Sequence, residues 1–147
     1  MSSEIKLTSE EFGLLSLFQT VSGVTALDCV VDEEMGRIIF VVEKEKMGLA
    51  IGKNGMVIKH VEKLVGRPVE VVEYSEDPKV FLKNCLDPRY VREVRAVDKG
   101  GGGKVLIALV DARKKGAVLG RRGKNAKRAR LLLKRHFGIS DVKIMST

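Results

Sequence analysis

The sequence contains no tryptophan, few aromatic residues and only two cysteines, and each shortage excludes a class of protein. Aromatic residues make up 5% of its 147 residues, too few for an RRM-type sheet that stacks bases on aromatic side chains. Cys29 and Cys85 belong to no cysteine and histidine cluster with metal-ligand spacing. We therefore expect two reduced core thiols, with a disulfide as the alternative, and no bound metal or cofactor.

Long apolar runs and catalytic groupings are also missing. No run approaches the roughly 20 residues needed to cross a bilayer, and the N-terminus lacks the basic and apolar regions of a secretory signal. We expect a cytoplasmic protein without membrane contact. No nucleophile has an evident base and no carboxylate pair suits acid–base chemistry, so we expect no enzymatic activity. His60 and His136 have no acid or nucleophile at a suggestive spacing and are expected at the surface.

Acidic residues are absent between Asp111 and Asp141, whereas basic residues crowd that segment. Residues 1–74 contain 8 basic and 12 acidic residues, a net charge of −4, and residues 75–147 contain 19 and 7, a net charge of +12. A basic patch attracts polyanions and releases counterions on binding, so its affinity falls with salt. A solvated helix face is the alternative, but a glycine loop inside the segment favours phosphate binding. The basic residues are Arg113, Lys114, Lys115, Arg121, Arg122, Lys124, Lys127, Arg128, Arg130, Lys134 and Arg135.

That glycine loop is one of two copies. Gly52-Lys53-Asn54-Gly55 recurs 68 positions later as Gly120-Arg121-Arg122-Gly123, and no gap is needed between about residues 12 and 65. A period this long exceeds that of solenoid repeats and predicts two small domains in tandem, at residues 1–74 and 75–147. The other identities at this spacing are Leu14 with Leu82, Ile39 with Ile107, Val42 with Val110, Gly48 with Gly116, Lys59 with Lys127, and Leu64 with Leu132.

Both halves have the predicted order helix, strand, strand, helix, loop, helix, strand. In the first half, Thr8 and Glu11 predict a capping box at the start of the first helix. We expect Phe12, Leu15 and Phe18 on the buried side of that helix, and Val57, Ile58, Val61, Leu64 and Val65 on the buried side of the third. The predicted elements are strands at 24–32 and 37–42, a short helical segment at 48–51, a helix at 56–65 and a strand at 69–72.

In the second half, Asp77 before Pro78 predicts a helix start, and Asp87-Pro88 its end. Strands are expected at 92–98 and 104–110, joined by a turn at Gly100 to Gly103. A helix is expected after Gly123, to about Phe137, followed by a strand at 142–144. The buried side of that helix is predicted to contain Ala126, Ala129, Leu132 and Leu133.

This order of elements, with GxxG between the second and third helices, resembles the type II KH domain, the prokaryotic form of an RNA-binding fold. The resemblance rests on Ala50 to Gly55 with Val57-Ile58, and on Val118 to Gly123 with Asn125-Ala126. It implies an α+β fold of two tandem type II KH domains, each a three-stranded sheet packed against three helices. Two adjacent KH units resemble the archaeal NusA-like transcription termination and elongation factors. Bacterial members carry a polymerase-binding domain and an OB-type domain, for which we expect no room.

The loops are the predicted binding site. Glycine permits close approach, and the helix that follows directs N–H groups and a positive dipole end at the loop. KH loops of this kind clamp about four nucleotides beside an apolar groove. The resemblance implies that Ile51 and Leu119 line the groove, that Lys53, Arg121 and Arg122 contact phosphates, and that Lys59 and Lys127 are further candidates, with a solvated surface lysine as the alternative. The full predicted set is Ile51, Gly52, Lys53, Asn54, Gly55, Lys59, Leu119, Gly120, Arg121, Arg122, Gly123, Lys124 and Lys127.

Three functions remain open from the sequence. The leading hypothesis is a monomeric single-stranded RNA-binding protein that acts on nascent transcripts in elongation, termination or antitermination, with RNA polymerase as a candidate partner. A ribosomal or ribosome-assembly KH protein that binds rRNA is the alternative. A protein-interaction module that has lost RNA binding is the third. We expect the second unit to supply most of the electrostatic affinity, and the first to add length and selectivity or to contact protein.

Overall fold

The computed structural model describes residues 5–147 and has the α+β architecture expected from the sequence. Two compact units are present, one of Lys6–Tyr74 and one of Ser75–Thr147 together with Ile5. In the first, the elements are α1 (Ser9–Ser22), β1 (Asp28–Asp32), β2 (Arg37–Val42), α2 (Met47–Ile51), α3 (Met56–Val65) and β3 (Val69–Glu73). In the second, they are α4 (Pro78–Cys85), β4 (Val91–Lys99), β5 (Gly103–Val110), α5 (Lys115–Leu119), α6 (Lys124–Phe137) and β6 (Asp141–Ser146).

Each unit contains one three-stranded sheet of the same topology. In the first sheet β2 lies between β1, its antiparallel partner, and β3, its parallel partner. In the second, β5 lies between antiparallel β4 and parallel β6. A parallel pair needs a long crossover, which the two helices after the central strand provide. Because both loops lie inside these crossovers, each glycine loop joins two helices that connect parallel strands.

The start of α1 follows its predicted capping box. The backbone N–H of Glu11 donates to Thr8 Oγ1 at 3.2 Å, and that of Thr8 donates to Glu11 Oε1 at 2.9 Å. The prediction of its buried side was wrong for Phe12, which is 60% exposed, whereas Phe18 is fully buried and stacks on Phe40. Six residues at 100° per residue turn Phe12 away from the side of Phe18. Leu14, Leu15 and Val21 complete the packed side.

The core of the first unit uses alternate residues of β2. Ile38, Phe40 and Val42 pack with Phe18, Cys29 and Val61 in one cluster. On α3 only Val61 is fully buried, with Ile58 and Val65 packed beside it. The expectation that Leu64 is buried was wrong, because this residue lies at the edge of the stripe and is exposed. The predicted strand at 24–32 was too long, since β1 begins at Asp28.

In the second unit the predicted buried side of α6 is confirmed for Ala126, Ala129, Leu132 and Leu133. His136 continues the same stripe and is only 4% exposed, with its ring edge-on to Phe81 at a centroid distance of 5.5 Å. The prediction of a surface histidine was therefore wrong. Cys29 and Cys85 are both buried free thiols, as expected.

The repeat is interrupted inside the last helix. Residues of α5 lie 68 positions after those of α2, whereas α6 has 14 residues against 10 in α3. The extra four residues are about one helical turn. They move β6 to a larger spacing from β3, so the two units share a gapless register only as far as the first part of α6.

Among residues 5–147 no helix is both long and apolar enough to cross a membrane. The same residues contain no group of three or more histidine, cysteine or acidic side chains placed to hold a metal ion.

Candidate nucleic-acid interface

The two glycine loops have nearly the same backbone conformation. Gly52 follows α2 with φ 78° and ψ 168°, and Gly120 follows α5 with the same angles. A single 3-10 turn then leads into the next helix, and Gly55 and Gly123 adopt the left-handed conformation at φ 72° and 69°. The structure thus places the four predicted glycines at equivalent positions of two helix–loop–helix segments.

The first glycine of each loop is needed because the next helix approaches closely. A Cβ on Gly52 would lie 2.4 Å from Val57 Cγ2 and 2.8 Å from its backbone nitrogen. On Gly120 it would lie 2.9 Å from Asn125 Cγ. A larger residue at Gly52 would therefore push the loop away from the first turn of α3, whereas at Gly120 the side chain of Asn125 would have to move.

Between the glycines, Asn54 and Arg122 have φ values of 56° and 59°. No other residue within 5–147 except glycine has a positive φ. Asparagine tolerates this conformation, whereas arginine adopts it only at a cost of about 1–2 kcal/mol. Backbone strain of this kind concentrates at functional sites, so an arginine held there indicates a use for its side chain.

The helices that follow the loops begin without side-chain caps. Gly55 and Gly123 are the N-cap residues, no side chain bonds to the first-turn N–H groups, and the first turn of neither helix contains an acidic residue. By contrast, Thr8 caps α1 and Asp77 caps α4. The N-termini of α3 and α6 therefore keep the partial positive charge that attracts an anion.

Side chains of the predicted set surround both loops. Lys53, Asn54 and Lys59 are exposed, and Lys59 reaches back so that its Cε is 4.0 Å from where a Cβ on Gly55 would be. Arg121 and Arg122 are exposed, and their side chains form no hydrogen bond or ion pair with any residue from 5 to 147. Exposed Lys124 and partly buried Lys127 lie in the first turns of α6, and Ile51 and Leu119 are partly buried at the ends of α2 and α5.

The two loops differ in the residues beside them. In the first, Leu49 and Met56 are apolar and 57% and 66% exposed. The residues 68 positions later are Ala117 and Lys124. The first loop therefore combines one lysine with apolar neighbours, whereas the second combines three basic residues.

Part of the basic segment stabilises the fold instead of forming a free patch. Arg128 donates from Nε and Nη2 to the carbonyl oxygen of Cys85, at 3.0 and 2.8 Å. Arg130 donates to the carbonyl oxygen of Val142 at 3.0 Å. Counting charges along the sequence did not separate these residues from Arg121 and Arg122.

Two aspartate–arginine pairs were also missed. Asp87 accepts a hydrogen bond from the backbone N–H of Arg89, and Asp111 accepts one from that of Arg113. The same arginines donate side-chain bonds to these carboxylates, which lower the pKa of Asp87, and lower that of Asp111 to about 2. The signal in the sequence is Asp-X-Arg, in which the aspartate closes a short turn.

Known proteins resemble this chain over most of its length. The KH domain family matches residues 15–87. A probable transcription termination protein NusA from Methanocaldococcus jannaschii is 34% identical, over 97% of this chain and 76% of the relative. The chain belongs to the NusA family. In Halobacterium salinarum, another protein of that name is 34% identical, over 95% of this chain and 98% of the relative.

A solved structure agrees with these relatives. The crystal structure of APE1850 has a TM-score of 0.84 and 40% sequence identity, and the match covers 94% of this chain and 99% of that one. The bacterial NusA from Borreliella burgdorferi matches 84% of this chain at 29% identity, but the match covers only 27% of that protein. This NusA family chain therefore matches nearly the full length of the Halobacterium relative and a small part of the bacterial one.

Proposed function

We propose that this chain is a single-stranded RNA-binding protein of transcription, built from two tandem type II KH domains at residues 1–74 and 75–147. Each domain would bind RNA through its GxxG loop. The observation that carries the proposal is the pair of loops with equal backbone angles, each followed by an uncapped helix N-terminus.

The chemistry of each loop suits a phosphodiester. Backbone N–H groups and the helix dipole attract the phosphate, and the glycines allow the strand to approach the backbone. Lys53 in the first loop, and Arg121 and Arg122 in the second, add positive charge at the same places. Ile51 and Leu119 end the helices before the loops and offer partly exposed apolar surface to bases. An unpaired strand fits this arrangement because its bases are free to turn toward the protein.

The two domains contribute differently in this proposal. Arg121, Arg122 and Lys124 make the second loop the stronger electrostatic contact. Leu49 and Met56 give the first loop exposed apolar surface, which favours contact with bases over contact with phosphates. The second domain would therefore supply most of the salt-dependent affinity, and the first most of the sequence preference.

Fluorescence anisotropy with labelled unpaired RNA, duplex RNA and duplex DNA tests the proposal. The variants are Lys53→Asp with Asn54→Asp, and Arg121→Asp with Arg122→Asp, each checked for folding by circular dichroism. We expect a preference for unpaired RNA, a salt slope of about 0.7 per phosphate contact, and a larger loss from the second pair. Equal binding of all three nucleic acids, insensitive to both loops, would contradict the proposal.

The proposed role of the chain in transcription needs an experiment of its own. The relatives named above are probable transcription termination proteins, which favours nascent RNA over ribosomal RNA as the target. In a transcription reaction with the polymerase of the source organism, the native chain should change the fraction of transcripts that terminate, and the Arg121→Asp, Arg122→Asp variant should not. An unchanged fraction, together with stable binding to a ribosomal subunit, would favour the alternative role in ribosome assembly.

A further inference from the structure

A basic and aromatic cluster lies in the second unit, where β4 begins and β5 ends. Val91 of β4 pairs with Val110 of β5, which brings the residues before β4 next to those after β5. We call this group the Tyr90 cluster. Its members are Arg89, Tyr90, Arg92, Asp111, Arg113 and Lys114.

A β-bulge contributes to the cluster. The register of β4 shifts between Val91 and Glu93, so Arg92 is the extra residue on this strand. Bulges redirect side chains and are common beside functional sites. Arg92 Nη2 lies 3.2 Å from Asp111 Oδ2, and Arg113 Nη2 lies 3.1 Å from the same oxygen. One carboxylate therefore holds two guanidinium groups, both largely exposed to solvent.

Two cations lie over the Tyr90 ring. Arg89 Cζ is 5.0 Å and Lys114 Nζ is 5.2 Å from the ring centroid. Arg89 is fixed by Asp87, to which it donates at 3.0 and 2.8 Å. The Lys114 ammonium forms no hydrogen bond or ion pair with the described residues. Lys114 is therefore the cation that can leave the ring at the lowest cost.

The cluster occurs in one unit and has excess positive charge. The four cations of the cluster face Asp111 and the adjacent Asp87, the partner of Arg89, and the six groups together have a net charge of +2. In the first unit, Ser22 is the residue 68 positions before Tyr90, and Glu45 is the residue 68 positions before Arg113. Lys114 precedes α5, and the loop glycine Gly120 follows it. Six residues of helix span about 9 Å, so the cluster is close to the second loop.

We propose that the Tyr90 cluster is a second contact for the unpaired RNA strand, at which one base stacks on the Tyr90 ring. The base would displace the Lys114 ammonium, and Arg92, Arg113 and Lys114 would contact the adjacent phosphate. Arginine suits that role because its planar fork bonds phosphate oxygens in two places. Single-strand sites commonly combine an aromatic platform with cations along the backbone. This inference rests on the RNA binding proposed above and extends it beyond the glycine loops.

Tyrosine fluorescence tests the stacking directly. The chain has two tyrosines and no tryptophan, so Tyr74→Phe leaves Tyr90 as the sole emitter. We expect unpaired RNA to quench this emission at saturation, and inorganic polyphosphate to leave it unquenched. In anisotropy, Tyr90→Leu should weaken RNA binding by about 5- to 150-fold, the range for one stacked base. Tyr90→Phe should keep native affinity, and circular dichroism should show both variants folded.

The possible results separate the two proposals. If Arg121→Asp with Arg122→Asp abolishes binding, while RNA leaves Tyr90 emission unchanged and Tyr90→Leu binds as the native chain does, the cluster is not a contact and the loop proposal stands. If polyphosphate quenched the Tyr90 emission as much as RNA does, the cluster would bind polyanions in general and the stacking proposal would be wrong. If the native chain binds no unpaired RNA, both proposals fail. The fluorescence result does not depend on whether Tyr90→Leu folds.

Discussion

Arg128 holds the C-terminal end of α4 by donating to the carbonyl oxygen of its last residue, Cys85, from Nε at 3.0 Å and from Nη2 at 2.8 Å. The last carbonyl groups of a helix lack partners within the helix, and a cation there also complements the dipole. Lys127, its neighbour in α6, is a proposed RNA contact. Adjacent basic residues of one helix thus have different expected roles.

Replacing Arg128 should therefore affect stability more than RNA binding. Arg128→Gln removes a charge-assisted bond and should lower the free energy of unfolding by about 1.5–3 kcal/mol. Urea unfolding followed by circular dichroism measures this change. Lys134→Gln is the matched control, since it removes the same charge from an exposed position of the same helix and should change stability little. An unchanged midpoint for Arg128→Gln would show that the contact with Cys85 adds nothing to stability.

Compared with asparagine at the same position, Arg122 should lower the stability of the fold and raise the affinity for RNA. Arg122→Asn places at this position the residue that the first loop has, and should relieve about 1 kcal/mol of left-handed strain. The variant should therefore melt at a higher temperature and bind unpaired RNA with a salt slope lower by about 0.7. Differential scanning calorimetry and a salt series of anisotropy titrations measure the two effects. Asn54→Arg is the reverse change and should destabilise the first unit. A gain in stability from this variant would contradict the argument that arginine is strained at this position.

The first glycine of the loop should tolerate substitution less than the last. Gly55→Ala adds a methyl group at positive φ that meets only Lys59 Cε, at an ordinary contact distance of 4.0 Å, so its cost is limited to about 1–2 kcal/mol. Gly52→Ala has a higher backbone cost, because φ 78° with ψ 168° is a conformation open essentially to glycine alone. Its methyl group also meets Val57, which should add about 1–3 kcal/mol. Chemical unfolding of the two variants gives the comparison. Equal losses would mean that α3 shifts freely to accept the methyl group.

Much of the fold was predictable because local signals agree with it. One or a few residues were enough to predict the capping box at Thr8, the helix start at Asp77 and the two glycine loops. The structure has α1, α4 and both loops at these places. Burial was predictable only where the helical stripe is unambiguous, as at Leu132. Leu64 lies at the edge of its stripe, where neighbouring elements decide whether the side chain is covered. His136 continues the buried stripe of α6, but its polar ring gave no sign of burial in the sequence.

The candidate site was only partly predictable for a related reason. A charge count treats Arg121 and Arg128 alike, whereas Arg128 is bonded to a carbonyl oxygen 43 residues earlier. No local pattern indicates such a partner. The Tyr90 cluster is similar, since Tyr90 and Lys114 meet only because β4 and β5 pair. Contacts between residues far apart in the sequence thus determine which arginines stabilise the fold and which remain available to a ligand.

The carboxyl group of Asp111 should titrate well below its ordinary range. Hydrogen bonds from the side chain and backbone of Arg113 lower its pKa to about 2, and the charge of Arg92 contributes least. Because the folded pKa lies below the unfolded value of about 3.9, the stabilising contribution is complete above that pH and is lost as the pH falls toward 2. Arg92 and Arg113 are therefore held throughout the neutral range, in the geometry proposed for phosphate. NMR titration of the Asp111 carboxyl carbon measures the pKa, and Arg113→Gln should raise it more than Arg92→Gln does. If Arg92→Gln had the larger effect, the bulge, and not the Asp-X-Arg turn, would hold the pair.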